Sequence, residues 1–349
     1  MASRFKVSNQ APISLELSRL SKLSKLGDPL ERLKRGIDFE IFRPKLTLTL
    51  SKEPKGVGGR PGYDYVLMFK ILVLQRYYNL SDDQTEYQIS DRLSFMRFLD
   101  LSLSSDIPDS KTVWNFKEKL VQKEVVEDLF ELFLAELERL KLVIHEGKIV
   151  DASFVEIPKQ RNSKEDNESI KLGQTPSDWT ANPHKLSQKD VDARWTKKNK
   201  ESYYGYKDHT KVDAKSKIIT KYAVTDASVH DSQIFLELLD DSDKDQNVYA
   251  DSAYVGEEIA KKMVDEKKVI PQIIERAYKN KPLTDTQKEN NHVKAKTRCR
   301  VEHIFGFIEN SMKGSFIRSI GMMRAKANIG LMNLVYNLFR KIQLSPSMG

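Results

Sequence analysis

Three acidic side chains stand where acids are uncommon or where they can be shared. Asp151 lies inside Lys148-Ile149-Val150-Asp151-Ala152-Ser153-Phe154-Val155, a short β-branched run that reads as a strand. Aspartate is depleted in strand interiors, and these apolar neighbours leave little room for a wet face. Asp251 closes a second short strand, Asn247-Val248-Tyr249-Ala250-Asp251. Carboxylates at the carboxyl ends of strands lie where open α/β sheets place their sites. Glu302 belongs to the stretch Thr297-Arg298-Cys299-Arg300-Val301-Glu302-His303-Ile304-Phe305-Gly306. There Val301, Ile304, Phe305 and Ile308 recur at helical spacing, and Arg298, Glu302 and Glu309 share a neighbouring face. Like charges brought together repel unless a cation lies between them. Hard oxygen ligands in this number suit Mg²⁺ or Mn²⁺. Two such ions activate a water or a 3′-hydroxyl and stabilise the leaving oxygen in phosphodiester chemistry.

By residue type alone other triples compete. Asp231 rivals Asp251, with helix capping as its commoner role, and Glu309 rivals Glu302. The histidines show no zinc-binding spacing. Lys294, Lys296, Arg298, Arg300, Lys313, Arg318, Arg324 and Lys326 crowd the neighbourhood of Glu302 and suit a polyanion. The whole chain, 349 residues with 58 Lys plus Arg against 50 Asp plus Glu, carries a net charge of +8, which agrees with an anionic partner. Its one cysteine, Cys299, excludes an internal disulfide. The start lacks the apolar run of a signal peptide, and no apolar run approaches the ~18–20 residues that cross a bilayer. The expectation is a cytoplasmic, nucleoid-associated protein with no membrane partner.

The elements that must position these acids follow from patterning. Residues 1–143 read as an all-helical N-terminal domain. A short leucine-striped helix comes first, then a Gly- and Pro-rich linker at 52–62, then an apolar helix at 65–78. Ser81 or Asp82 caps the next helix, and 94–99 extends it or begins another. Pro108-Asp109-Ser110 introduces a helix carrying Lys111, Asn115 and Lys117, the pattern of a helix-turn-helix reader, with Trp114 in the core as the plainer alternative. A long helix is expected to continue through 118–142. Residues 144–343 read as a second domain, with strands near 148–155, 203–213, 218–225, 247–251 and 268–274 and helices from Ser232 and at 257–266. That order predicts an α/β fold with a mixed five-stranded sheet flanked by helices. The segment 158–200 is predicted to be a long mobile polar insertion, with Trp179 and Trp195 anchoring its ends. Residues 277–291 read as charged and irregular. Tyr204, Tyr206 and Tyr254 are expected to pack in the interior.

Several blocks, in order from Gly59 to Arg340, resemble the bacterial insertion-sequence transposases of the DDE class, in particular the insertion sequence five family. They are Gly59-Arg60-Pro61, Leu80-Ser81-Asp82, Asp91-Arg92-Leu93-Ser94-Phe95 and Pro108-Asp109-Ser110-Lys111-Thr112. Further on come Val150-Asp151-Ala152-Ser153, Tyr204-Gly205-Tyr206-Lys207 with His209, and His230-Asp231-Ser232. The last are Tyr249-Ala250-Asp251-Ser252-Ala253-Tyr254, Arg300-Val301-Glu302-His303-Ile304-Phe305-Gly306, Arg324-Ala325 and Tyr336-Asn337-Leu338. The resemblance implies an RNase H-like catalytic domain with Asp151, Asp251 and Glu302 as catalytic, metal-binding acids in two-ion chemistry with Mg²⁺ or Mn²⁺. It implies binding of terminal inverted repeats, cleavage of the DNA ends and joining of 3′-hydroxyls to double-stranded target DNA, by a homodimer or higher homo-oligomer. Lys111, Lys117, Lys207, His209, Arg298, Arg300, Lys313, Arg318 and Arg324 are the expected DNA contacts. An inactive DNA-binding regulator derived from such an enzyme, or a plain metal-dependent nuclease, are the alternatives.

Overall fold

Local signals set most element ends in the computed structural model, which describes residues 12–51, 62–198, 200–254, 257–277 and 282–345. The Gly59-Arg60-Pro61 block and nearly all of the expected linker lie outside the described residues. The N-terminal part is helical, with α1 Pro12–Lys25, α2 Pro29–Gly36, α3 Arg43–Leu50, α4 Tyr65–Tyr78, α5 Asp82–Asp91, α6 Leu93–Leu99, α7 Ser110–Gln122 and α8 Val125–Arg139. Asp64 starts α4 by accepting from the backbone N–H groups of Val66 and Leu67, and Asn79, at φ 50°, ends it in the left-handed region. Ser81 and Gln84 form a reciprocal capping box on α5. Asp109 caps α7 through the Thr112 N–H. The single long helix expected through 118–142 is two helices, broken at Lys123-Glu124, where Glu124 has φ 51°. Trp114 is 47 % exposed and does not enter the core.

The rest of the chain runs β1 Lys148–Glu156, α9 Lys164–Lys171, α10 Ser177–Thr180, α11 Pro183–Leu186, β2 Arg194–Lys198, β3 Glu201–Asp213, β4 Ile219–Asp226, α12 Asp231–Leu238, β5 Asn247–Ala250, α13 Glu257–Asp265, β6 Ile270–Ile273, α14 Asp285–Arg298, α15 Glu302–Gly306 and α16 Met322–Leu344. The strands make one mixed sheet ordered β2-β3-β1-β5-β6, with β4 also paired to β3. β1 is antiparallel to β3 and parallel to β5, and β5 is parallel to β6. This is the helix-flanked mixed sheet expected, with a sixth strand added. β2 pairs with β3 over 201–205, and β4 pairs with it over 206–212, so the two share one edge of β3. Gly205 marks the change of partner. Its φ is 149°, and a Cβ there would meet the Val155 carbonyl oxygen at 2.4 Å.

Two further readings are corrected. The segment expected to be a mobile insertion holds α9–α11 and β2, organised on Trp179, which is fully buried with Lys185 and Lys189 over its ring. The same segment carries Asp190, which accepts from the Tyr206 hydroxyl and from the Ala193 and Gly321 N–H groups, and so ties the insertion to the sheet. Polar composition hid this because one tryptophan and one satisfied aspartate do the packing. Residues expected to be irregular contribute the first part of α14, capped by Thr284 and Gln287.

β3 is polar yet buried along most of its length, since helices cover both faces. Three of its buried charges are paired, as burial favours. Lys207 meets Asp231 at 2.8 Å, Lys211 meets Asp243 at 2.7 Å, and Asp213 faces the buried Lys148 at 3.7 Å. Helix α16 packs on α8, α4 and β4, and one hydrophobic cluster runs from Leu30 through Phe339, joining the helical region to the sheet. Asn337 accepts from the Ile219 N–H at 3.0 Å and donates to its carbonyl at 2.8 Å, which satisfies the outer edge of β4. The Tyr336 hydroxyl and Arg340 Nε bond the carbonyls of Lys217 and Ser216, fastening the β3–β4 turn to the same helix.

Candidate active site

Ile149 pairs with Tyr249 in the parallel register of β1 and β5. Asp151 lies two residues beyond that pair inside β1, and Asp251 two residues beyond it, just past the end of β5. The Asp151 side chain is 17 % exposed. Burial pushes its carboxyl above the usual carboxylate range and the Asp251 charge adds to this, while the Ala152 N–H and Arg298 oppose it. Asp251 accepts from the Ser252 N–H, which holds its carboxylate at the strand end.

Arg298, the last residue of α14, connects these acids to the third. Its Nη1 donates to Asp151 Oδ2 at 2.7 Å, and its Nη2 lies 3.7 Å from Glu302 Oε1. Val301 and Ile304 are buried, so α15 is anchored while the Glu302 side chain is 66 % exposed. The rivals separate here. Asp231 is the first residue of α12 and pairs with Lys207, and it is His230, not Asp231, that caps the helix. Glu309 lies in a π-helical turn, and its charge acts on Tyr203 together with Glu156 and Glu201, at the far end of β1 and β3.

Tyr254 was expected to pack, and it is buried. Its hydroxyl has no hydrogen-bond partner among the described residues. Burial raises its pKa well above the ordinary value, and Asp151, Asp231 and Asp251 push in the same direction. Sequence reading did not assign it to the site. The only signal was its position three residues after Asp251.

The expected DNA contacts divide. Lys111, Lys313 and Arg318 are exposed. Lys117 pairs with Asp82, Arg324 makes a bidentate pair with Glu118, and Arg300 donates to the Ala214 carbonyl. His209 and Lys207 are corrected: His209 is fully buried against Thr225, and Lys207 is held by Asp231 and the Val229 carbonyl. Helices covering both faces of β3 leave neither side chain open to a duplex.

The donors of Asp151 and Asp251 are hard oxygens, which fits a divalent cation. Among the described residues, however, no three His, Cys, Asp or Glu side chains are close enough to hold one metal ion. Arg298 supplies the positive charge between the first and third acids. No helix among the described residues is long and apolar enough to cross a membrane.

Fold and site together define an α/β protein with one acid inside β1, a second just past the end of the parallel strand β5, and an all-helical region before the sheet. Residues 144–338 match the Transposase DDE domain family, and residues 18–119 match the Transposase domain (DUF772) family. The first match spans more than half of the chain, which therefore belongs to the DDE transposases. A solved piggyBac transposase, in a synaptic complex with hairpin DNA, is similar over 90% of this chain and 75% of its own at 13% identity, with a TM-score of 0.45.

Proposed function

We propose that this transposase binds the terminal inverted repeats of an insertion sequence, cleaves the DNA at those ends and joins the 3′-hydroxyls to target DNA. The observation that carries the reading is the parallel pairing of β1 with β5, which brings the Asp251 charge to act on Asp151, with Glu302 reached through Arg298. Asp151, Asp251 and Glu302 would hold divalent ions, Mg²⁺ or Mn²⁺, which when bound polarise the phosphodiester and activate the attacking hydroxyl. The ladder of β1 fixes Asp151 and the end of β5 fixes Asp251, while the exposed Glu302 has the freedom to turn toward them. Arg298 opposes the upward push of burial on the Asp151 carboxyl and offers a guanidinium to a phosphate. Lys111 on α7, with Lys313 and Arg318, grips the duplex, and two copies of the chain bring two ends together.

The test is an end-cleavage and strand-transfer assay with Mg²⁺ on DNA carrying the element's ends. Activity lost in Asp151→Ala with end binding retained supports the reading, whereas unchanged activity rejects it. Cut ends that never become linked to target DNA would identify a nuclease instead. Binding falls steeply with salt if phosphate neutralisation dominates.

A further inference from the structure

A cleft of about 400 Å³ lies away from the acids, between the helical region and the chain leading into α16. Arg76 forms part of its wall. This arginine is 5 % exposed, and among the described residues its Nε has no hydrogen-bond partner and its guanidinium bonds Asn79 alone, at 3.0 Å. No carboxylate pairs with it among the described residues. A buried cation without a counter-charge costs several kcal/mol and calls for an anion. The other cations of the cleft sharpen the imbalance. Lys117 is balanced by Asp82 and Arg324 by Glu118, but Arg318, exposed with its guanidinium over the Phe316 ring, makes no ion pair among the described residues. Among those residues two positive charges are therefore left without a carboxylate. Ser319 Oγ is also buried without a partner, and Trp114 brings a half-exposed indole to the rim.

We infer that this cleft receives a backbone phosphate of the DNA, held by Arg76, Arg318 and the Ser319 hydroxyl beside the Trp114 ring. Guanidinium groups and a hydroxyl match phosphate oxygens, and an indole face suits the adjoining sugar or base. Placement favours DNA over a free anion. α7, with Lys111, forms one wall, and the other wall is joined to the strand of Asp151: Glu156 exchanges backbone hydrogen bonds with Ser315 and Ile317 at 2.8 and 2.9 Å. Glu156 is five residue steps along the strand from Asp151, about 17 Å. One DNA strand can thus pass from α7 over the cleft toward the acids. The inference rests on the proposed function and adds residues to it.

The experiment measures anisotropy of a fluorescein-labelled 30-base-pair duplex across a NaCl series, for the full chain and for Arg76→Met, Arg318→Ala and Ser319→Ala. Loss of one phosphate contact lowers the slope of log affinity against log salt by about 0.9 and weakens binding roughly three- to tenfold. Arg76→Met and Arg318→Ala should each show this, with Trp114→Ala weakening binding at unchanged slope. If Arg76→Met does not fold, Ser319→Ala decides, and it should weaken binding at unchanged slope. Wild-type slope and affinity in folded Arg76→Met, or wild-type affinity in Ser319→Ala, overturn the inference and leave the transposase reading standing. A wild-type chain that binds no duplex at any salt defeats both. Inorganic phosphate that raises the melting temperature of the wild type but not of Arg76→Met, with duplex binding equal in the two, assigns the cleft to a free anion and overturns the DNA assignment.

Discussion

Arg298 Nη1 lies 2.7 Å from Asp151 Oδ2 while its Nη2 lies 3.7 Å from Glu302 Oε1, so one guanidinium bridges the first and third acids. The cation that keeps these carboxylates compatible belongs to the chain itself. In Arg298→Ala the acids lose it, and Mn²⁺ should bind about tenfold more tightly, a change of about 1.4 kcal/mol. Melting in EDTA should fall, with a larger recovery on adding Mn²⁺ than the wild type shows, and end cleavage should drop. Equal Mn²⁺ affinity in the two proteins would mean that the bridge does not compete with metal.

Asp251→Asn keeps shape and hydrogen bonding at the strand end but removes the charge. Cleavage and strand transfer should fall at least about a thousandfold, with duplex affinity within about twofold of the wild type. A normally active variant would place the second acid elsewhere, with Asp231 next in line.

Asp208 makes folding pH-dependent. Complete burial pushes its carboxyl up to about 7, from an ordinary 3.8, against the opposing hydrogen bond from Asn333. Asp208 Oδ2 and Asn333 Oδ1 both lack partners, and a proton on the acid gives one something to donate and the other something to accept. Between about pH 4 and pH 7 the folded chain holds this proton and the unfolded chain has released it. The group's stabilising contribution is therefore complete below about pH 4, declines as pH rises to about 7, and is flat above. Asp208→Asn should remove about 2–3 kcal/mol of the stability difference between pH 5 and pH 8. Denaturant melts at the two pH values measure it, and an unchanged difference would mean the acid is ionised throughout.

Trp179 is the packing centre of the 158–200 insertion. Trp179→Ala should cost about 3–5 kcal/mol locally. Limited proteolysis should then cut within 158–193 while the sheet resists. Cutting no faster than in the wild type would show that the insertion holds together without the indole.

Much of this was readable along the chain because the causes are local. The caps at Ser81 and Asp109 and the β-branched runs around Asp151 and Asp251 act within a few residues of themselves, and the elements appear where those signals lie. The break at Glu124 was not readable, since an apolar stripe continues across it while one residue turns left-handed. The order in the insertion escaped because its polar residues are satisfied by distant groups, as Asp190 is by Tyr206 and Gly321. His209 escaped for the same reason: what buries it is coverage of β3 by helices far along the chain.

By itself the sequence determined the strand around Asp151, the strand before Asp251, the helical spacing around Glu302 and the transposase family, because short-range pattern carries those facts. Only tertiary structure decided that β1 and β5 run parallel, and that Arg298 stands between Asp151 and Glu302. It also decided that Arg76 is a buried charge with no counter-ion among the described residues. Each depends on strand register or helix packing between residues far apart in the chain, and that is chosen by burial of the shared core rather than by any neighbouring residue.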